Sequence, residues 1–148
     1  MSLYGTEVVE SHWPMDGPHG PELIESAAVA LAELVRYLNR ATLPSAQVLG
    51  EAPHGAGLLG SLATAAQRER QLCQQLEAWA HQLAADPSLQ HDRCGDDAAL
   101  SRQMAVTAAE EAEGELGFAV EFAEELARCL DGARRRVEWL SHAGGDRP

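Results

Sequence analysis

The segment Asp97–His142, DAALSRQMAVTAAEEAEGELGFAVEFAEELARCLDGARRRVEWLSH, decides the fold. It contains no proline, and its apolar residues recur in helical phase from end to end. Leu100, Met104, Thr107, Glu111, Gly114, Phe118, Phe122, Leu126, Cys129, Ala133, Val137 and Leu140 form one stripe. A flanking stripe adds Ala105, Ala108, Ala112, Leu116, Ala119, Ala123 and Leu130. Read as one helix, the segment spans about 70 Å at 1.5 Å per residue. Its second half is the more apolar, and that surface needs cover from a fold-back or from a second chain. Gly114 and Gly117 each cost about 1 kcal/mol relative to alanine in a helix interior. Strong helix formers on both sides absorb that cost, and the unbroken phase favours a continuous helix. Asp96 is the predicted N-cap, with Asp97 adding favourable charge. Arg134, Arg135 and Arg136 suit the negative end of the helix dipole, and Gly144-Gly145 is the predicted stop.

Two shorter helices precede it. The first starts at Pro21, where a missing N–H is harmless, and ends near Thr42, before Pro44. Ile24, Ala27, Leu31, Leu34, Leu38 and Ala41 line one face of it. Residues 43–56 form a connection, with room for one helical turn over Ser45 to Leu49. The second helix is predicted from Gly57 to Ala85, with a stripe of Leu58, Leu62, Ala65, Leu72, Leu76, Trp79 and Leu83, and Asp86-Pro87 stops it. A polar loop over 86–96 follows. Residues 1–20 hold Pro14, Gly17, Pro18 and Gly20, which predicts an arm without a helix, anchored on the bundle by Trp13.

These elements define an all-α fold, with an N-terminal arm over 1–20, a helical bundle domain over 21–143 and a tail over 144–148. The reading is a three-helix bundle with an overlong third helix. The alternative, with a break near Gly114–Gly117, is an antiparallel four-helix bundle.

Composition narrows the functions. The 148 residues carry a formal charge of −12, which repels nucleic acid and anionic lipid. Hydrophobic residues make up 45%, as in a folded protein. Lysine is absent, Ile24 is the lone isoleucine and Asn39 the lone asparagine, a bias of the kind a GC-rich coding sequence produces. No run reaches the ~18 apolar residues of a membrane helix, and residues 1–10 do not read as a signal peptide. Cys73, Cys94 and Cys129 are spaced as unpaired thiols, so the expected compartment is the cytoplasm.

Catalytic and metal signatures are sparse. Glu69 and Glu111 interrupt apolar stripes near mid-helix and predict either a buried polar layer or solvent-reaching carboxylates. Glu77 with His81, and Glu138 with His142, have the spacing of surface pairs, not the Glu-x-x-His of a di-iron bundle. His91-Asp92-Arg93-Cys94 offers two metal-type ligands without a second pair. There is no Walker sequence, no Gly-x-Ser-x-Gly and no evident nucleophile–base pair. No Trp-x-Gly turn of the small helical secretion substrates occurs.

The His12-Trp13-Pro14 arm, the Gly17-Pro18-His19-Gly20-Pro21 helix start and the Leu34-Val35-Arg36-Tyr37-Leu38-Asn39 segment resemble small all-helical actinobacterial proteins. The resemblance covers about the first third of the chain and implies no activity. The functional expectation is a non-enzymatic interaction or regulatory module without a cofactor. It would form a homodimer, or bind a protein partner, through Phe118, Phe122, Leu126, Val137 and Leu140. The alternative is a small-molecule- or metal-binding bundle built around Glu69 and Glu111.

Overall fold

The computed structural model describes residues 4–43 and 48–141. They form four helices and no strand: α1 Tyr4–His12, α2 Pro21–Ala41, α3 Ala52–Ala85 and α4 Ala98–Val137. The chain divides into two compact units, Met1–Gly50 and Glu51–Pro148.

In the first unit, α1 corrects the expectation of a helix-free arm. All the proline and glycine that argued against helix, apart from Gly5, fall after Trp13, which leaves 4–12 free to coil. Trp13 N–H closes the helix on Val9 O at 2.8 Å. A turn follows at Gly17, whose φ of +84° favours glycine. α2 starts at Pro21 and closes at Thr42, as its sequence predicts. The Thr42 N–H and hydroxyl both donate to Leu38 O, at 3.0 and 2.8 Å. Ile24, Leu31 and Leu34 on its apolar stripe are exposed.

In the second unit, α3 and α4 pack antiparallel. α3 begins five residues earlier than predicted, because Pro53 falls in the first turn, where its missing N–H costs nothing. α4 runs unbroken through Gly114 and Gly117 for 40 residues, about 60 Å. Its N-cap is Asp97 and not Asp96: the Asp97 carboxylate accepts from Leu100 N–H at 3.0 Å. It ends at Val137, short of the predicted end. The Glu138–His142 pair, the Gly144-Gly145 stop and the turn beginning at Ser45 lie outside the described residues.

The seam between these helices is not the stripe of large residues that periodicity selects. Every buried apolar residue among those described is an alanine: Ala56, Ala63, Ala66 and Ala80 on α3, Ala105, Ala109, Ala123 and Ala127 on α4. Seven- and three-residue steps relate the α3 set, the spacing of a coiled-coil seam. Small side chains let the two backbones approach closely, and the approach itself turns the larger residues outward. Leu72, Leu76, Trp79, Phe118, Phe122 and Leu126 are exposed as a result. A methyl group contributes roughly 0.8 kcal/mol on burial, against 1.5–3 for a leucine or phenylalanine side chain. The hairpin therefore has a thin core and leaves its best apolar material outside.

Candidate interaction face

Four cross-helix pairings set the register. Gly60 faces the Arg134 stem, a Cβ there standing 3.1 Å from Arg134 Cδ. Arg70 Nε lies 3.3 Å from Glu124 Oε2. Gly117 faces Glu77 Oε1, and His81 Nδ1 lies 3.2 Å from Glu113 Oε1. Each forward step along α3 matches an equal step back along α4, so the register holds without a slip. Leu72 is thereby level with Phe122, and Trp79 with Glu115.

This register gives the hairpin two unlike sides. One is polar, with Gln67, Arg70, Gln74 and His81 on α3 against Glu124, Arg128, Asp131 and Arg135 on α4. Its charges are paired. Arg134 bonds Asp131 at 2.9 Å and Glu138 at 2.6 Å, Arg135 lies 3.1 Å from Asp131, and Arg128 closes on Glu125. The Arg128 guanidinium holds the Glu125 carboxyl below the usual glutamate range, chiefly by its hydrogen bond. Asp131 raises Arg134 in the same way.

The other side is apolar. It carries Leu58, Leu62, Leu72, Leu76, Trp79 and Leu83 from α3, and Ala112, Ala119, Phe122 and Leu126 from α4, with Phe118 at its outer edge. Phe122 is 72% and Trp79 54% exposed. Glu69, Glu111, Glu115 and Arg136 are the charges in phase with this side. Near the loop the face deepens into a cleft of about 270 Å³ between Trp79, Leu83, Leu89 and His91 and the small walls of Ala105, Ala108, Ala109 and Ala112.

The cleft is braced at its loop end. Ser101, 5% exposed, accepts the His91 N–H at 2.8 Å and donates to His91 O at 3.1 Å. Arg102 donates to Ala84 O at 3.2 Å and to Asp86 O, taking up carbonyls that the end of α3 leaves open, and to Leu89 O in the loop at 3.4 Å. Ser88 bonds the Asp86 carboxylate through hydroxyl and N–H, which lowers the Asp86 pKa, and Arg102 adds to the effect.

Phe118, Phe122, Leu126 and Leu140 are exposed, and Val137 is half-buried at the end of the seam. Leu72, Leu76 and Trp79 are missing from the predicted set because periodicity assigns them to the core. Their size and their place one step beside the alanines were the available signal. Glu69 is half-buried and Glu111 exposed. The register sets Glu69 level with Glu125 and Glu111 level with Leu83, about 21 Å apart along the hairpin, so the two carboxylates share no layer. Polar residues half-buried at the seam include Arg70 and Glu77 on α3 and Arg134 on α4. His81 pairs with Glu113 on the opposite helix and not with Glu77. Cys94 Sγ rests 3.2 Å from Met104 Sδ, and the His91 Nδ1 accepts from Arg93 N–H. Among the described residues no group of three or more His, Cys, Asp or Glu is placed to hold a metal, and no helix is long and apolar enough to cross a membrane.

Comparison of the chain with protein families, with curated proteins and with solved structures finds no match.

Proposed function

We propose that the chain is a non-enzymatic helical interaction module that self-associates through the apolar face of the α3–α4 hairpin. One observation carries the reading: the buried core is alanine, while the large apolar residues stand together outside on a side with few charges. Exposed apolar patches of this kind mark association surfaces. The partner is a protein, since a chain of charge −12 repels nucleic acid. The cytoplasmic location belongs to the same proposal; unpaired Cys73, Cys94 and Cys129 support a reducing compartment.

The test is mass against concentration by sedimentation of the full chain. The wild type forms a dimer with rising concentration, and Phe122→Asp remains monomeric with its helicity intact. A wild type that stays monomeric at high concentration overturns the proposal. The cleft beside Trp79 favours a second reading, an apolar small-molecule site, for which native mass spectrometry would show a monomer with added mass.

A further inference from the structure

The apolar face carries both a projection and a depression. Phe122, with Phe118 and Leu126 beside it, stands out from α4. Ala108, two heptads earlier on the same helix and in the same phase, lines the wall of the cleft beside Trp79. The two features lie about 21 Å apart along one face. A two-fold operation places each copy's projection in the other copy's depression, which is the self-complementarity that an isologous dimer requires.

Resting on the self-association proposed above, we infer that two copies dock antiparallel, face to face, with the Phe122 ring of each seated in the Trp79–Ala108 cleft of the other. The size fits: an apolar cavity of about 150 Å³ accepts benzene, and the cleft measures about 270 Å³. The area fits as well. Leu72, Leu76, Trp79, Phe118, Phe122 and Leu126 each offer on the order of 100 Å². With the alanines between them they approach the ~800 Å² per partner of a standard interface. The charges agree for most of the face: an acidic chain meets its copy where its own carboxylates are fewest. Glu69, Glu111 and Glu115 are the exceptions, and Glu115 is the one nearest the centre. It stands midway between Ala108 and Phe122, so the two Glu115 side chains approach each other at the two-fold axis.

A complementation experiment on the full chain tests this arrangement. Phe122→Ala removes the projection and keeps the cleft; Ala108→Phe fills the cleft and keeps the projection. Each variant alone dimerises at least tenfold more weakly than the wild type. An equimolar mixture regains one intact contact per heterodimer and associates at least tenfold more tightly than either variant alone. Glu115→Gln tightens the wild-type dimer severalfold. Circular dichroism at low concentration checks that each variant folds, and Ala112→Phe replaces Ala108→Phe if the latter loses helicity. A wild-type dimer with no gain on mixing, or no effect of Glu115→Gln, overturns the two-fold docking and leaves self-association standing. A wild-type monomer overturns both, and a monomer retaining a small apolar molecule assigns the cleft to that ligand instead.

Discussion

Ser101 holds His91 by both of its backbone groups, accepting the amide at 2.8 Å and donating to the carbonyl at 3.1 Å. A single hydroxyl thus ties the loop over 86–97 to the first turns of α4. Removing it leaves a part-buried donor and acceptor without a partner, which costs about 1–3 kcal/mol. Ser101→Ala is therefore expected to lower the urea midpoint at unchanged slope. Ser61→Ala serves as the control, since the Ser61 hydroxyl is exposed and bonds only its own helix; it should change the unfolding free energy by less than about 0.5 kcal/mol.

Arg102 makes the second tie. Its guanidinium spreads over the carbonyls of Ala84, Asp86 and Leu89. A lysine ammonium on a flexible stem lacks the planar fork that reaches separated acceptors together. Arg102→Ala is expected to cost about 1–2 kcal/mol, and Arg102→Lys to recover less than half of it. Full recovery by lysine would show that charge near the end of α3, not the fork, does the holding.

What the sequence makes legible is set by the range of the forces involved. Pro21, Asp86-Pro87 and the acidic pair Asp96-Asp97 act within a few residues; the start of α2 and the end of α3 fall where local chemistry puts them, and the cap of α4 lies one residue on, at Asp97. The choice of face is different. Leu72, Leu76 and Trp79 carry the stronger hydrophobic signal, yet a helix pair close-packed through its backbones prefers Ala63, Ala66 and Ala80. Which stripe wins depends on the facing helix, which no local window contains. The same holds for Glu69 and Glu111, whose levels follow from the register, and for the His81–Glu113 pairing across the seam.

Gly114 has open space where a Cβ would stand, whereas a Cβ on Gly117 would meet Glu77 Oε1 at 3.2 Å. Gly114→Ala is expected to stabilise the hairpin by about 0.5–1 kcal/mol, through helix propensity and a restricted unfolded chain. Gly117→Ala should gain less, because the Glu77 side chain must move. Thermal unfolding of the two variants side by side checks the order.

Asp86 and Glu125 are both held below their ordinary values of 3.8 and 4.5, by Ser88 and Arg128 respectively. A depressed carboxylate contributes stability that is fully present above its ordinary value and is lost as pH falls through the depressed one. The hairpin should thus lose stability on acidification below 4.5 through Glu125 and below 3.8 through Asp86. In Asp86→Asn the fall over that window should be shallower than in the wild type. An identical acid profile for the two would remove the Ser88–Asp86 turn as a source of it.

The thin alanine seam links stability to concentration. A dimer stabilises the folded state by mass action, so its melting temperature climbs with protein concentration, whereas a monomer's does not. Phe122 is 72% exposed, so Phe122→Asp removes little from the isolated hairpin itself. The expected result is a wild-type melting temperature that rises by several degrees across a hundredfold range of concentration. Phe122→Asp should match the wild type at the dilute end and stay flat. Trp79→Gln, on the opposite helix of the same face, should flatten the dependence as well, since both residues belong to one buried patch in the dimer. Arg128→Gln, on the charged side, should leave the slope untouched. If Arg128→Gln flattens it and Trp79→Gln does not, association runs through the polar side of the hairpin.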